Sequence, residues 1–426
     1  MGEFDNNWNK YWLRGNPFFT EPLEIDGSPI PIENLVGRHT EKREITNLIK
    51  MGGGTRFIVS GEAGVGKTSL INYIRYKARL ENFISPIKEI SIPKTPNPQK
   101  VMVETLVLLF EEIKSKKITI NDEIRKKLEF LQPFADLQDY EGEGSVWVTS
   151  TTSILITLFK SLTKELVSIG FSGVVLHYNN LDKIKDEEDL LDFFQDTREF
   201  FQDNNCIFIF IGDKLLTKVI SNEPRLRQIF QNPVELKGLT YEEILEVIKI
   251  RINILRVDNS KTIQILDEVV IKKLYEIFDG NLRDILTSIS YAFRNMEDGN
   301  MPIKLTLFKT KDILYNAFRD RYLKKLSKTE QDILFLILEN KRMTPSEITK
   351  KTGKRFQNVS SLYLKNLINA NAIELVERKG TRKVYAVVPQ IKWTKLKKTE
   401  EEIEEEIELK TKKLKRIKEI QTELQF

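Results

Sequence analysis

The stretch Gly61-Glu62-Ala63-Gly64-Val65-Gly66-Lys67-Thr68 constrains this chain more than any other feature. It fits G-x-x-x-x-G-K-[ST] at every fixed position. An apolar run, Phe57-Ile58-Val59-Ser60, leads into it, and a helix-like run, Ser69 to Leu80, follows. Strand, tight loop and helix in that order are the setting a phosphate-binding loop needs. The glycines let the backbone curl until successive N–H groups point inward at a phosphate chain. The helix adds the positive end of its dipole, beginning near Ser69. Lys67 is placed to reach β- and γ-phosphates, and the Thr68 hydroxyl to ligate Mg²⁺. ATP or ADP with Mg²⁺ is the expected ligand set.

At 426 residues the chain exceeds one ordinary core, so several domains are expected. Apolar runs Phe57–Ser60, Ile87–Ile92, Val174–Tyr178, Ile207–Ile211 and Pro233–Leu236 alternate with amphipathic stretches. That rhythm predicts an α/β fold, a parallel sheet with helices on both faces, over residues 36–238. Residues 1–35 read as a loop-rich arm. Residues 114–150, Lys/Glu-rich with a loop at Gly142-Glu143-Gly144, read as an insertion. From 239 to 322 the pattern is helical, over Tyr241–Leu255, Leu266–Phe278 and Leu282–Phe293.

Residues 323–392 predict a winged helix-turn-helix. Ser327-Lys328-Thr329-Glu330 has the capping-box form, and Thr344-Pro345-Ser346-Glu347 starts a second helix that Gly353 ends. A third helix, from Phe356 to Ala370, is expected to bury Val359, Leu362, Leu364 and Leu367. Strands Ile373–Glu377 and Lys383–Val388 flank a turn over 378–382, the wing. Lys354, Arg355, Gln357, Asn358, Ser361 and Lys365 on the third helix, with Arg378, Lys379, Arg382 and Lys383 on the wing, are candidate contacts to double-stranded DNA. The overall charge of +5 would not make that case; the local clustering does.

The end of the chain, 393–426, is charged and helical. Ile403, Ile407, Leu414, Ile417 and Leu424 form a heptad-like stripe fit for a coiled coil or for packing back on the winged unit. One cysteine, Cys206, excludes an internal disulfide, and two histidines leave little for a transition-metal site. No apolar run has the length of a membrane span, and no secretory-signal pattern is seen, so a cytoplasmic protein is expected.

In the order of these pieces the chain resembles an AAA+ ATPase of the replication-initiator type, that of origin-recognition-complex subunits and their archaeal relatives. Val36-Gly37-Arg38 resembles the segment beside the adenine. Gly280-Asn281-Leu282-Arg283 resembles the lid motif whose arginine, here Arg283, senses the γ-phosphate. The resemblance makes Arg225 or Arg227 a candidate arginine finger toward a neighbouring subunit. Self-association through that face, or through the C-terminal helix, would follow. It also implies roles in DNA replication, segregation or mobile-element control. STAND-type signalling or transcription-regulating ATPases share several of these features, and a catalytically inactive structural subunit is a further reading.

The departure from that pattern lies after Val174-Val175-Leu176-His177-Tyr178. The resemblance calls for Asp-Glu there, one residue for the Mg²⁺ shell and one to polarise water. The chain has Asn179-Asn180. Asparagine supplies neither the charge nor a base. Asp182, or Asp213 after the next strand, is the substitute to look for. Slow hydrolysis, or none, is expected.

Overall fold

The computed structural model describes residues 8–135, 152–258, 264–296 and 302–397. The predicted loop at Gly142-Glu143-Gly144 and the C-terminal heptad stripe lie outside them. Strands β1 (Arg56–Gly61), β2 (Ile90–Ser91), β3 (Val174–Asn179), β4 (Cys206–Gly212) and β5 (Val234–Leu236) form one parallel sheet in the order β2-β3-β4-β1-β5. β1, β3 and β4 are buried at every position, which is why they read as unbroken apolar runs. One face packs on an aromatic-rich core with Tyr178, Phe201, Phe208 and Phe210. The other packs on the helices His39–Lys50 and Lys67–Leu80. This is the α/β phosphate-loop fold expected of an AAA+ chain.

β2 is shorter than the predicted Ile87–Ile92. The fully buried Arg75 guanidinium donates to the carbonyls of Pro86, Ile87 (3.2 Å) and Lys88 (3.1 Å), so they bond to a side chain rather than to a strand. Pro86 has no N–H for a ladder.

Helices Tyr241–Leu255, Glu268–Phe278, Leu282–Arg294 and Leu307–Arg321 follow. A Thr240/Glu243 capping box opens the first. The second starts at Glu268, not Leu266, because Leu266 pairs with Leu305 in an isolated bridge. The N-terminal arm belongs to this helical core. Trp8, Tyr11 and Phe18 surround Phe293, and Arg14 N donates to Leu255 O at 2.8 Å.

The C-terminal unit has helices Lys328–Asn340 and Pro345–Thr352, each opened by a capping box, at Ser327/Glu330 and Thr344/Glu347. Its third helix is Phe356–Asn358, a π-turn over Val359–Tyr363, and Leu364–Asn369. The extra residue of the π-turn rotates Leu362 outward, so it is 48% exposed rather than buried. Val359, Leu364 and Leu367 do face the core. Strands β6 (Arg342–Met343), β7 (Ile373–Lys379) and β8 (Arg382–Val387) form an antiparallel sheet in the order β6-β8-β7. β7 runs two residues further than predicted and β8 starts and ends one residue earlier, so the turn between them is only Gly380-Thr381. The segment Pro389–Leu396 returns to the four-helix unit, where the buried Trp393 Nε1 donates to Ser288 Oγ at 2.9 Å. One apolar core therefore runs through arm, helical unit and C-terminal unit. Among the described residues, no helix is long and apolar enough to cross a membrane.

Candidate nucleotide-binding cleft

The phosphate loop emerges from β1 with Gly64 at φ +88° and Gly66 at φ +94°, a backbone that side chains disfavour. The helix Lys67–Leu80 starts directly behind, so its free N–H groups face the cleft. The helix Leu282–Arg294 closes over the loop: Asn281 Nδ2 donates to Ala63 O (2.7 Å), and Arg283 N donates to Gly64 O (3.2 Å). Arg283 lines the resulting cleft with Gly64, Gly66, Lys67, Thr68, Ser69, Asn179, Asn180 and Asp182. Lys67 Nζ rests on its own loop, donating to Gly61 O and Glu62 O, each at 2.9 Å. Burial pushes its pKa down, while Asp182 and Asp213 push back.

Beside the loop lies an apolar pocket lined by Leu23, Val36, Leu239, Val247 and Ile250. Val36, which the resemblance assigns to the segment beside the adenine, is one of its lining residues. The Arg38 guanidinium is spent on the protein: it donates to Val65 O (2.8 Å) and Lys237 O (2.7 Å) and pairs with Glu41 (3.0 Å). With Gly37 turning the chain at φ +66°, Arg38 braces the phosphate loop from behind.

At the tip of β3, Asn179 Nδ2 donates to Thr68 Oγ1 (3.2 Å) and to Glu89 Oε1 (2.5 Å), and its Oδ1 accepts from Asn180 N (2.8 Å). Asn180 sits at φ +67°, a conformation asparagine tolerates, and bonds Ser91 Oγ at 2.8 Å. Asp182, on the short turn Leu181–Lys183, presents to the cleft. Asp213 caps the helix Lys214–Asn222 through Leu215 N (2.9 Å), and burial pushes its carboxyl up.

Several cleft residues escaped the sequence reading. Arg251, from the helix Tyr241–Leu255, stacks on Phe19 at 4.1 Å and donates to Phe19 O at 2.7 Å. Burial takes its pKa down to about 10. Phe19, Thr20, Glu21 and Pro22 of the arm form a wall of the cleft, tied down by Leu23 N to Ser69 Oγ (3.0 Å). The only sequence signal was the apolar pair Phe18-Phe19 in an otherwise polar, proline-rich segment.

Arg225 and Arg227 are exposed on the helix Pro224–Arg227 and do not line this cleft. Lys354, Arg355, Gln357, Asn358, Ser361 and Lys365 are all exposed, as are Arg382 and Lys383. Arg378 and Lys379 are otherwise engaged. Arg378 Nε lies 3.3 Å from Asp186 Oδ2 and its N–H donates to Lys185 O at 2.7 Å. Lys379 Nζ lies 2.9 Å from Glu187 Oε2. Lys218 pairs with Glu187 and, at 3.1 Å, with Glu377. The wing is thus docked on the sheet domain, just past the residues that leave the tip of β3.

Asp284, in the first turn of Leu282–Arg294, has its carboxyl pushed up to about 6 by burial, against the pull of Lys392 and Arg283. A raised folded-state pKa means that its stabilising, protonated form is fully present below about 3.8 and is lost as pH rises through about 6. Asp284→Asn is therefore expected to raise stability by about 1–3 kcal/mol at pH 8. The gain should shrink steadily as pH falls below 6 in thermal melts.

No protein-family model matches the chain, and no curated protein matches it. Among solved structures, it is similar to the Aeropyrum pernix ORC2 protein in ADPNP-ADP complexes, at 14% identity over 89% of this chain and 95% of that one, with TM-score 0.45. The Aeropyrum pernix ORC1 protein in complex with DNA gives 12% identity over 92% and 95%, with TM-score 0.43. Thermotoga maritima RuvB gives 15% over 85% and 96%, with TM-score 0.40.

Proposed function

We propose that this chain is a nucleotide-controlled, duplex-DNA-binding protein of the replication-initiator kind that hydrolyses ATP slowly. The observation that carries the reading is the short path from cleft to wing. Asn180 and Asp182 line the cleft, and Asp186 and Glu187, next along the same segment, grip the wing. A ligand that moves the first pair is positioned to loosen the second.

The phosphate chain would replace the loop carbonyls as partner of Lys67, and the base would enter the apolar pocket beside Val36 and Leu239. Arg283 would close the helical lid on the γ-phosphate. Thr68 is the hydroxyl that would ligate Mg²⁺, with Asp182 facing its water shell. When bound, the metal would neutralise phosphate charge and polarise the γ-phosphoryl group. Asn179 and Asn180 can orient water by hydrogen bonds but cannot take its proton, so turnover is slow and the bound state long-lived. The exposed side chains of the third helix and the remaining wing cations would contact phosphates and base edges. Arg225 and Arg227 remain free to reach a second copy.

Fluorescence anisotropy of a labelled duplex tests this reading. Wild type should bind with steep salt dependence, and ATP·Mg²⁺ should change its affinity at least fivefold. Lys67→Ala should bind DNA yet show no ATP effect. ATP effects of equal size in both proteins would refute the coupling.

A further inference from the structure

The tip of β3 lacks a carboxylate, yet one stands beside it. Glu89 precedes β2, whose Ser91 is in register with Asn179. Its side chain crosses to β3, and its Oε1 accepts from Asn179 Nδ2 at 2.5 Å. The same Nδ2 is 3.2 Å from Thr68 Oγ1, and the amide cannot turn over freely because its Oδ1 holds Asn180 N. One amide group therefore separates the Glu89 carboxylate from the hydroxyl expected to ligate the metal.

The competing role for Glu89 is counter-ion to the buried Arg75. That guanidinium is already occupied by Ser85 (3.0 Å), Asn72 (3.1 Å), His177 Nδ1 (3.3 Å) and three carbonyls. None of those bonds goes to Glu89. His177, 3.8 Å from Glu89 Oε2, is fully buried beside Arg75, a place that keeps an imidazole neutral. Among the described residues, the side chain that donates to Glu89 is Asn179, while Glu89 and Arg75 act on each other through their charges.

We propose that Glu89 supplies, from the residue before β2, the negative charge missing from β3: as a positioning residue it pins the Asn179 amide against Thr68 and places a carboxylate behind the Mg²⁺–nucleotide site. The family pattern calls for the carboxylate at 179; here the amide stands at 179 and the carboxylate at 89. Swapping the two groups should therefore preserve the site. The inference rests on the nucleotide reading above.

Calorimetric titration of the full chain with ADP, in EDTA and in Mg²⁺, tests it on wild type, Glu89→Gln and Glu89→Gln/Asn179→Asp, with thermal melts alongside. The affinity of each protein in EDTA is its own baseline, against which the effect of Mg²⁺ is read. The Mg²⁺ enhancement of affinity should fall about tenfold in Glu89→Gln and return to within about threefold of wild type in the double variant. An unchanged enhancement in Glu89→Gln would overturn the proposal. So would a fall in melting temperature and in both affinities that Asn179→Asp does not repair, the signature of a purely structural partner of the Arg75 network. Wild type that binds no ADP in either buffer would refute the nucleotide reading and this inference with it.

Discussion

Replacing Asp186 and Glu187 together by Asn and Gln is expected to tighten duplex-DNA binding about tenfold at low salt. The two acids hold Arg378 and Lys379, wing cations that a phosphate backbone would otherwise engage. Docking of the wing and binding of DNA compete for the same charges, so apparent affinity scales with the fraction of molecules whose wing is free. Exposed pairs contribute roughly 0.2–1 kcal/mol each. Here the acids are the buried partners, with side-chain exposures of 16% and 10%, and Lys218 joins the cluster, which favours the upper part of that range. Salt should erode the gain, since it screens the docked pairs in wild type as well. The matching charge change at the exposed Asp122 and Glu123, on the helix Asp122–Ala135, should alter affinity less than about twofold. Equal tightening by both double variants would reduce the effect to net charge and remove the wing from the account.

Gly64→Ala is expected to lower nucleotide affinity more than a hundredfold, a loss of about 2.7 kcal/mol or more. Two independent costs meet at this position. The backbone sits at φ +88°, where any Cβ is strained. That Cβ would also lie 2.4 Å from Asn281 Oδ1 and 2.8 Å from Arg283 Cβ, both at the start of the lid helix. The loop must flatten or the lid must lift, and either removes part of the cradle. Gly66 has no atom within 4 Å of its would-be Cβ, so Gly66→Ala carries the strain alone and should lose less. Indistinguishable losses at the two positions would mean that lid seating is irrelevant to binding.

The parts that were legible in the sequence are those fixed by local chemistry. The phosphate loop needs positive φ at particular glycines, and the capping boxes at Ser327 and Thr344 need only residues three apart. β1, β3 and β4 announced themselves because both of their faces are buried. What escaped depends on partners far along the chain. β2 was overestimated because Arg75 takes its carbonyls. Leu362 was misplaced by a π-turn that no propensity encodes. Docking of the wing requires Asp186 and Glu187 to meet Arg378 and Lys379, a pairing that charge patterns along one helix cannot show. Arg251 and the arm residues entered the cleft for the same reason: tertiary packing of the arm on Phe293 carries Phe19 to it.

The central claim is that the amides of the glycine loop and Lys67 hold a nucleoside triphosphate. Isothermal titration of ATP with Mg²⁺ into the full chain and into Lys67→Ala measures this directly. A one-to-one isotherm of micromolar affinity for the unaltered chain, lost in the variant, is the predicted result. Absence of binding at millimolar ATP, or the same isotherm from both proteins, would contradict it.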